Sequence, residues 1–184
     1  MTDSIRLWTG QRQIVLDTLK NTGTYHVRWE YIAQKYQESA WSFQAAYAFL
    51  SQAAQSRGIC PAGADSAIWL YRDPQWIHQD ASCSLLCFEI PRDRILTFDL
   101  RLWNRVLNLE YLGESIQDEL DFKHELERLS LPSTLPLFQT PFYPLQKRQV
   151  QHSWNRIFRA RVEPEIYLQA AVWELRLEWL TLCL

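Results

Sequence analysis

Residues 84–108 restrict the fold of this chain more than any other stretch. The apolar run at residues 85–90 predicts a buried strand, and Pro91 ends it because proline has no N–H for a ladder. A charged turn follows, and residues 95–98 form a second apolar run. Asp99 is then predicted to cap a helix with one apolar face, formed by Leu100, Trp103, Val106 and Leu107. Two strands and a capped helix in this order predict an α+β architecture.

The chain before this stretch carries further local signals. An alternating first strand is predicted at residues 5–8, followed by a helix at 11–20. Residues 29–57 predict a packed helical hairpin that Gly58 ends, and residues 67–71 predict a short strand. We therefore expect a central mixed or antiparallel sheet with flanking helices.

The second half of the chain alternates helical and irregular patterns. Ser115 and Asp118 predict the start of an amphipathic helix that reaches Arg128. The prolines within residues 131–145 predict an ordered loop instead of a helix. Residues 173–179 alternate as a strand does, although one helical face also fits, and the strand is favoured.

Composition excludes several functional classes. With 184 residues and no repeat or linker, residues 1–184 are expected to form a single domain. The net charge of -2 gives no global attraction to nucleic acid or acidic membranes. No signal peptide or apolar run of membrane-spanning length is found, so a cytoplasmic protein without membrane contact is expected. His78 with Cys83 or Cys87 supplies too few ligands for zinc, and no metal is expected.

The sequence contains none of the compact catalytic motifs. It has no glycine-rich phosphate loop, no G-x-S-x-G and no H-E-x-x-H. With five glycines in the chain, a glycine-rich nucleotide-binding loop is not expected. An activity, if the chain has one, needs a dispersed site that the fold assembles. Nine tryptophans, eight tyrosines and eight phenylalanines are available to line such a site.

Residues 147–161 combine five basic residues with two aromatic ones and no acid. Such interleaving is typical of nucleic-acid or phosphate binding. The candidate nucleic-acid-binding residues are Lys147, Arg148, Trp154, Arg156, Arg159 and Arg161. In the alternative interpretation, Val150, Trp154, Ile157 and Phe158 form a helix packing face with solvated basic flanks.

Four segments together resemble an uncharacterised bacterial family, domain of unknown function 3841. They are Arg6-Leu-Trp-Thr-x-Gln11, the Phe-Glu-Ile-Pro strand at 88–91 followed by Asp99, Trp103 and Asn108, the run at 153–158, and Gln169-x-x-x-Trp-Glu-Leu-Arg-Leu-Glu178. The family name implies no function.

The order of elements also resembles small bacterial ADP-ribosyltransferase toxins, including those that modify DNA bases. The resemblance implies that a residue on the first strand, here Arg6, contacts NAD, and that Trp69 or Tyr71 packs on the nicotinamide. It implies a catalytic glutamate at Glu174, for which Glu178 is the rival. The residues implied for NAD binding are Arg6, Trp8, Trp69, Tyr71 and Gln169.

The sequence therefore leads to two hypotheses about function. The first is an NAD-consuming ADP-ribosyltransferase, a toxin or defence factor that acts on nucleic acid or protein and has a cognate inhibitor protein as partner. The second is a non-catalytic module that binds nucleic acid or protein through residues 147–161. Whether the chain is an enzyme stays open at this point.

Overall fold

A computed structural model describes residues 3–27, 40–62, 64–78 and 82–183, with the backbone alone for residues 40–42. The first part of the predicted helical hairpin lies outside the described residues. No helix within the described part of the chain is long and apolar enough to cross a bilayer.

The described strands form two antiparallel sheets. Their bounds are β1 Ser4–Arg12, β2 Thr24–Tyr25, β3 Ile68–Tyr71, β4 Cys83–Pro91, β5 Leu96–Asp99, β6 Leu168–Val172, β7 Leu175–Arg176 and β8 Leu180–Cys183. The main sheet has six strands in the order β5-β6-β3-β1-β4-β8. The remaining two, β2 and β7, pair with each other. The predicted α+β class with a central antiparallel sheet is confirmed.

Helices cover both faces of the main sheet. Their bounds are α1 Gln13–Thr22, α2 Ala40–Ser56, α3 Leu100–Leu107, α4 Ile116–Arg128, α5 Leu135–Gln139 and α6 Pro144–Ser153. Strand side chains alternate between the faces, so each face builds its own core. The core on one face includes Leu7 and Phe88 with Leu19 of α1, and the core on the other includes Trp103 and Trp154.

The helix caps predicted at Asp99 and Ser115 are confirmed, whereas the helix predicted at 11–20 begins two residues later, at Gln13, because β1 extends to Arg12. The Asp99 side chain accepts a hydrogen bond from the Arg101 backbone N–H at 2.8 Å, and Ser115 accepts one from the Asp118 N–H at 3.1 Å. Both side chains satisfy backbone donors that a helix start leaves without partners. Gly23, with φ of 80°, ends α1 in the left-handed region that favours glycine.

The prediction of a loop at residues 131–145 is wrong in part. Residues Leu135–Gln139 form α5, and Pro144 begins α6. Pro136 and Pro144 are in the first turn of these helices, where a missing N–H costs no intrahelical hydrogen bond and the fixed φ is already helical, whereas Pro132 and Pro141 lie outside them.

The strand favoured for residues 173–179 is confirmed only in part, because β7 covers Leu175–Arg176 alone. The 3₁₀ turn Leu177–Trp179 separates β7 from β8. The break lets this part of the chain pair first with β2 and then with β4. The alternation of apolar and polar residues cannot indicate such a change of partner strand, because it is the same whichever strand β7 and β8 pair with.

Candidate functional site: a cleft between β1 and β3

The main sheet divides between β1 and β3. All nine residues of β1 pair with β4, whereas β1 and β3 share the one pair Trp8–Tyr71. Beyond Trp8 the two strands diverge, and a cavity of about 580 Å³ opens between them. Within the described part of the chain, β1 and β3 are not paired with each other along the cavity, so backbone groups on the two facing edges are available to a ligand or to water.

We call this cavity the β1–β3 cleft. Its lining residues come from the end of β1, from β3, from the turn that follows β3 and from the start of β4. They are Thr9, Gly10, Gln11, Arg12, Val27, Ala67, Ile68, Trp69, Tyr71, Trp76, Ile77, His78 and Cys83. Two predicted NAD-contacting residues, Trp69 and Tyr71, are among them.

A short 3₁₀ turn, Pro74–Trp76, forms one wall of the cleft. Asp73 caps it by accepting a hydrogen bond from the Gln75 N–H at 2.9 Å. The indole N–H of Trp76 donates to the Ile166 carbonyl at 2.7 Å, which ties the turn to the segment before β6. Trp76 is 38% exposed, so its ring remains accessible to a ligand.

The floor of the cleft is aromatic and rigid on one side. The Trp69 ring packs 5.7 Å from Tyr47 of α2 and 5.3 Å from Trp103 of α3, between ring centroids. Rings held in this way present a fixed flat surface, which suits the stacking of a planar ligand group.

The charges along the cleft favour an anion. Arg12 and His78 line it, and no Asp or Glu does among the residues that the structure describes. Arg12 stands opposite Cys83 in the β1–β4 ladder, and its exposed guanidinium has no ion-pair partner among the described residues. An arginine in this position can bind a phosphate in a bidentate manner.

Arg6, the predicted NAD-contacting arginine, lies outside the lining of the cleft. It is two residues before Trp8, where the Arg72 side chain donates to its backbone carbonyl at 3.1 Å, and it lies opposite Glu89. Its side chain is exposed. Arg12 on the same strand has the position in the cleft that the sequence interpretation gave to Arg6.

Trp8 and Gln169 meet Tyr71 from two sides. Tyr71 is paired with Trp8 on β1 and with Gln169 on β6, so the three side chains stand at one level on one face of the sheet. Gln169 is 3% exposed, and its Oε1 has no hydrogen-bond partner among the described residues. These two residues flank the closed end of the cleft instead of lining it.

Glu174 lies just past the open end of the cleft. It follows β6, two residues beyond the pair Ile68–Val172. Its carboxylate is 3.5 Å from Nε2 of His26, and His26 directly precedes Val27, a lining residue. Arg176 donates from its Nε to the same carboxylate, and this hydrogen bond raises the pKa of Arg176.

The register separates Arg6 from Glu174. Gln169 is level with Trp8, so Glu174 is five residues past that level and Arg6 two before it. β6 ends at Val172, and the five strand steps between the levels of Arg6 and Val172 correspond to roughly 17 Å. Glu174 lies beyond them. Glu178 is more exposed than Glu174, at 68% against 17%, and Arg176 Nη1 lies 3.5 Å from it.

The six candidate nucleic-acid-binding residues do not share one surface. Trp154 is 0% exposed, and its indole N–H donates to the Glu110 carbonyl at 2.9 Å. Arg156 pairs with Glu114 at 2.9 Å and with Asp118 at 3.5 Å. Arg161 pairs with Glu163 at 2.7 Å.

The other three candidates form no ion pair with a described residue. Lys147 stacks over the Phe138 ring at 5.3 Å, while Arg148 and Arg159 are exposed. The packing face that was the alternative interpretation is confirmed for Val150, Trp154 and Ile157, which are each 0% exposed.

Sequence reasoning did not assign several lining residues to a ligand site, among them Arg12, Trp76 and His78. Arg12 lies between Gln11 and Gln13 and was assigned to the predicted helix at 11–20, whereas β1 extends through Arg12 and the helix begins at Gln13. For Trp76, the signal available was the Asp73-Pro74 pair, which is typical of a turn that presents the following side chains.

The comparisons identify the family. The model of the family described as Domain of unknown function (DUF3841) matches residues 6–181, and the chain belongs to this family. No curated protein and no solved structure matched the chain. The resemblance to ADP-ribosyltransferases therefore receives no support from these comparisons.

Proposed function

We propose that this member of the DUF3841 family binds NAD in the β1–β3 cleft and transfers its ADP-ribose group to a nucleic-acid or protein acceptor. One observation carries the proposal: the divergence of β1 from β3 after the pair Trp8–Tyr71. It leaves a cavity of about 580 Å³, within the range of about 300–1,000 Å³ that is typical of small-molecule sites.

The lining of the cleft suits the parts of NAD. NAD has two flat ring systems joined through a pyrophosphate, and it is an anion. Trp69, Tyr71 and Trp76 supply aromatic surface for a ring, and Arg12 supplies a cation for the pyrophosphate. The unpaired backbone groups of β1 and β3 add directional hydrogen bonds without a glycine-rich loop.

The proposed reaction breaks the bond between C1′ of the ribose and the nicotinamide nitrogen. Nicotinamide leaves with the bonding electrons, and a lone pair of the acceptor forms the new bond at C1′. Positive charge develops on the ribose in the transition state, so a nearby carboxylate stabilises the transition state more than the ground state. Glu174 is our candidate for this carboxylate and for the base that takes the acceptor's proton, and Glu178 remains the alternative.

Two arginines of β1 give a matched test of binding. Arg6 and Arg12 are both exposed strand residues, but Arg12 alone lines the cleft. We expect Arg12→Ala to weaken NAD binding about tenfold, because a charge-assisted hydrogen bond contributes about 1.5–3 kcal/mol. Arg6→Ala should bind as the wild type does. Titration calorimetry with NAD measures both, and a wild type that does not bind NAD at millimolar concentration would refute the proposal.

Turnover is tested separately, by chromatographic detection of released nicotinamide. We expect Glu174→Gln to abolish release while NAD affinity is retained, and Glu178→Gln to leave release largely intact. Release that survives both substitutions together would rule out a glutamate-dependent mechanism. Because NAD affinity is measured independently, a failure of catalysis is distinguishable from a failure of binding.

A further inference from the structure

A second cavity, of about 560 Å³, lies between α2 and the end of α6. We call it the α2–α6 groove. Helix α2 contributes Ala45, Ala48, Phe49, Gln52, Ala53 and Ser56, and the opposite wall consists of Arg148, Gln151, His152 and Asn155. Both sets follow the three- and four-residue spacing of a single helix face, so two helix faces border the groove along its length.

The floor of the groove is small and apolar, and its rims are polar. Three alanines leave the space open, and Phe49 is fixed below by ring contacts of 5.5 Å with Trp154 and 5.8 Å with Phe158. Gln52, Arg148 and His152 are exposed along the rims. A ligand can therefore lie on an apolar floor while polar groups contact it from both sides.

The electrostatics of the α2–α6 groove favour an anion. Among the residues that the structure describes, no Asp or Glu lines it and Arg148 has no ion-pair partner. Arg57 follows Ser56 directly, and its guanidinium lies 4.6 Å from the centre of the Phe158 ring. A second cation thus stands at one end of the groove, over an aromatic ring.

We propose that the α2–α6 groove binds single-stranded nucleic acid. Arg148 and Arg57 would contact phosphates, while the amides of Gln52 and Gln151 would contact base edges. Amides present an acceptor as well as donors, which matches bases, since bases display both. The side chains of a carboxylate-rich peptide offer acceptors alone, so the amide carbonyls could be paired only by its backbone N–H groups.

This inference stands on the groove and does not depend on the β1–β3 cleft. It also differs from the expectation based on residues 147–161, because Arg148 is the one residue of the six nucleic-acid-binding candidates in the lining. Half of the proposed surface comes from α2, which has no basic residue of its own between Ala40 and Ser56.

The test uses fluorescence anisotropy with a short fluorescein-labelled single-stranded oligonucleotide of mixed sequence, at about 50 mM and about 200 mM salt. We expect Arg148→Ala to weaken binding about tenfold and to reduce the salt slope by about 0.7, the contribution of one phosphate contact in a single strand. We expect Gln52→Leu, on the other wall, to weaken binding several-fold without changing the salt slope. The matched control is Arg128→Ala on α4, an exposed arginine outside the groove, which should bind as the wild type does.

Three outcomes would overturn the inference. The first is absence of binding by the wild type at the lower salt concentration. The second is an equal loss for Arg148→Ala and Arg128→Ala, which would indicate diffuse attraction instead of a groove. The third is a polyglutamate peptide that displaces the oligonucleotide at equal charge concentration, which would assign the groove to an acidic peptide. Circular dichroism spectra of the variants establish that each is folded.

Discussion

Trp8 stands opposite Tyr71 at the single pair that joins β1 to β3. The main sheet is continuous through this pair, because Trp8 also pairs with Cys87 and Tyr71 also pairs with Gln169. Beyond it, the two strands separate around the β1–β3 cleft. The Trp8–Tyr71 pair therefore closes one end of the cleft, and the residues that follow Trp8 on β1 form one of its walls.

Gly10 is predicted to keep the cleft open because the turn after β3 lies against it. A Cβ at position 10 would lie 2.7 Å from Cγ2 of Ile77, closer than side chains tolerate. We expect Gly10→Ala to reduce the free energy of unfolding by about 1–3 kcal/mol, the typical cost of overpacking. Urea-induced unfolding measures this change.

The control for Gly10→Ala is a double-mutant cycle with Ile77→Ala, which removes the opposing methyl group. In that background, Gly10→Ala should cost little or stabilise the protein by about 0.4–1 kcal/mol, since alanine restricts the unfolded chain. An equal cost in both backgrounds would show that the contact with Ile77 is not the cause.

Trp154→Ala is expected to destabilise the protein by about 3–5 kcal/mol, the usual cost of removing a buried aromatic side chain. The ring is 0% exposed and stacks on Phe138 at 5.7 Å. Trp154→Phe should cost less, because it keeps most of the volume and loses the hydrogen bond to the Glu110 carbonyl. Chemical denaturation of both variants provides the measurement, and a Trp154→Ala variant as stable as the wild type would contradict the core position.

Asp99 is predicted to make stability depend on pH. Burial alone would raise the pKa of Asp99, but hydrogen bonds from Arg101 outweigh it, and the folded-state pKa is lower than the ordinary value. A lowered pKa means that the carboxylate contributes its full stabilisation above about pH 4 and loses it as the pH falls through the folded-state pKa.

The variant that tests this prediction is Asp99→Asn, which keeps a capping side chain but removes the charge. We expect it to unfold about 1–2 kcal/mol more easily than the wild type at neutral pH, with the difference shrinking below about pH 4. Urea titrations at a series of pH values measure the difference. A difference that stays constant across the series would show that the charge of Asp99 is not responsible.

The sequence by itself determined the local elements. The strand that Pro91 ends, the caps at Asp99 and Ser115 and the packing face around Trp154 were all predictable, because each depends on side chains within a few residues of one another. The helices inside residues 131–145 were not predicted, because a proline in the first turn of a helix and a proline in a loop look the same in the sequence.

The tertiary structure alone decided where the cavities lie and which residues line them. The separation of β1 from β3, the placement of Arg12 instead of Arg6 in the cleft and the pairing of Arg156 with two carboxylates all depend on residues far apart in the chain. The α2–α6 groove likewise joins two helices almost a hundred residues apart. The register between strands and the packing of helices set these positions, and a sequence pattern reports neither, because the same alternation of side chains is compatible with several partners.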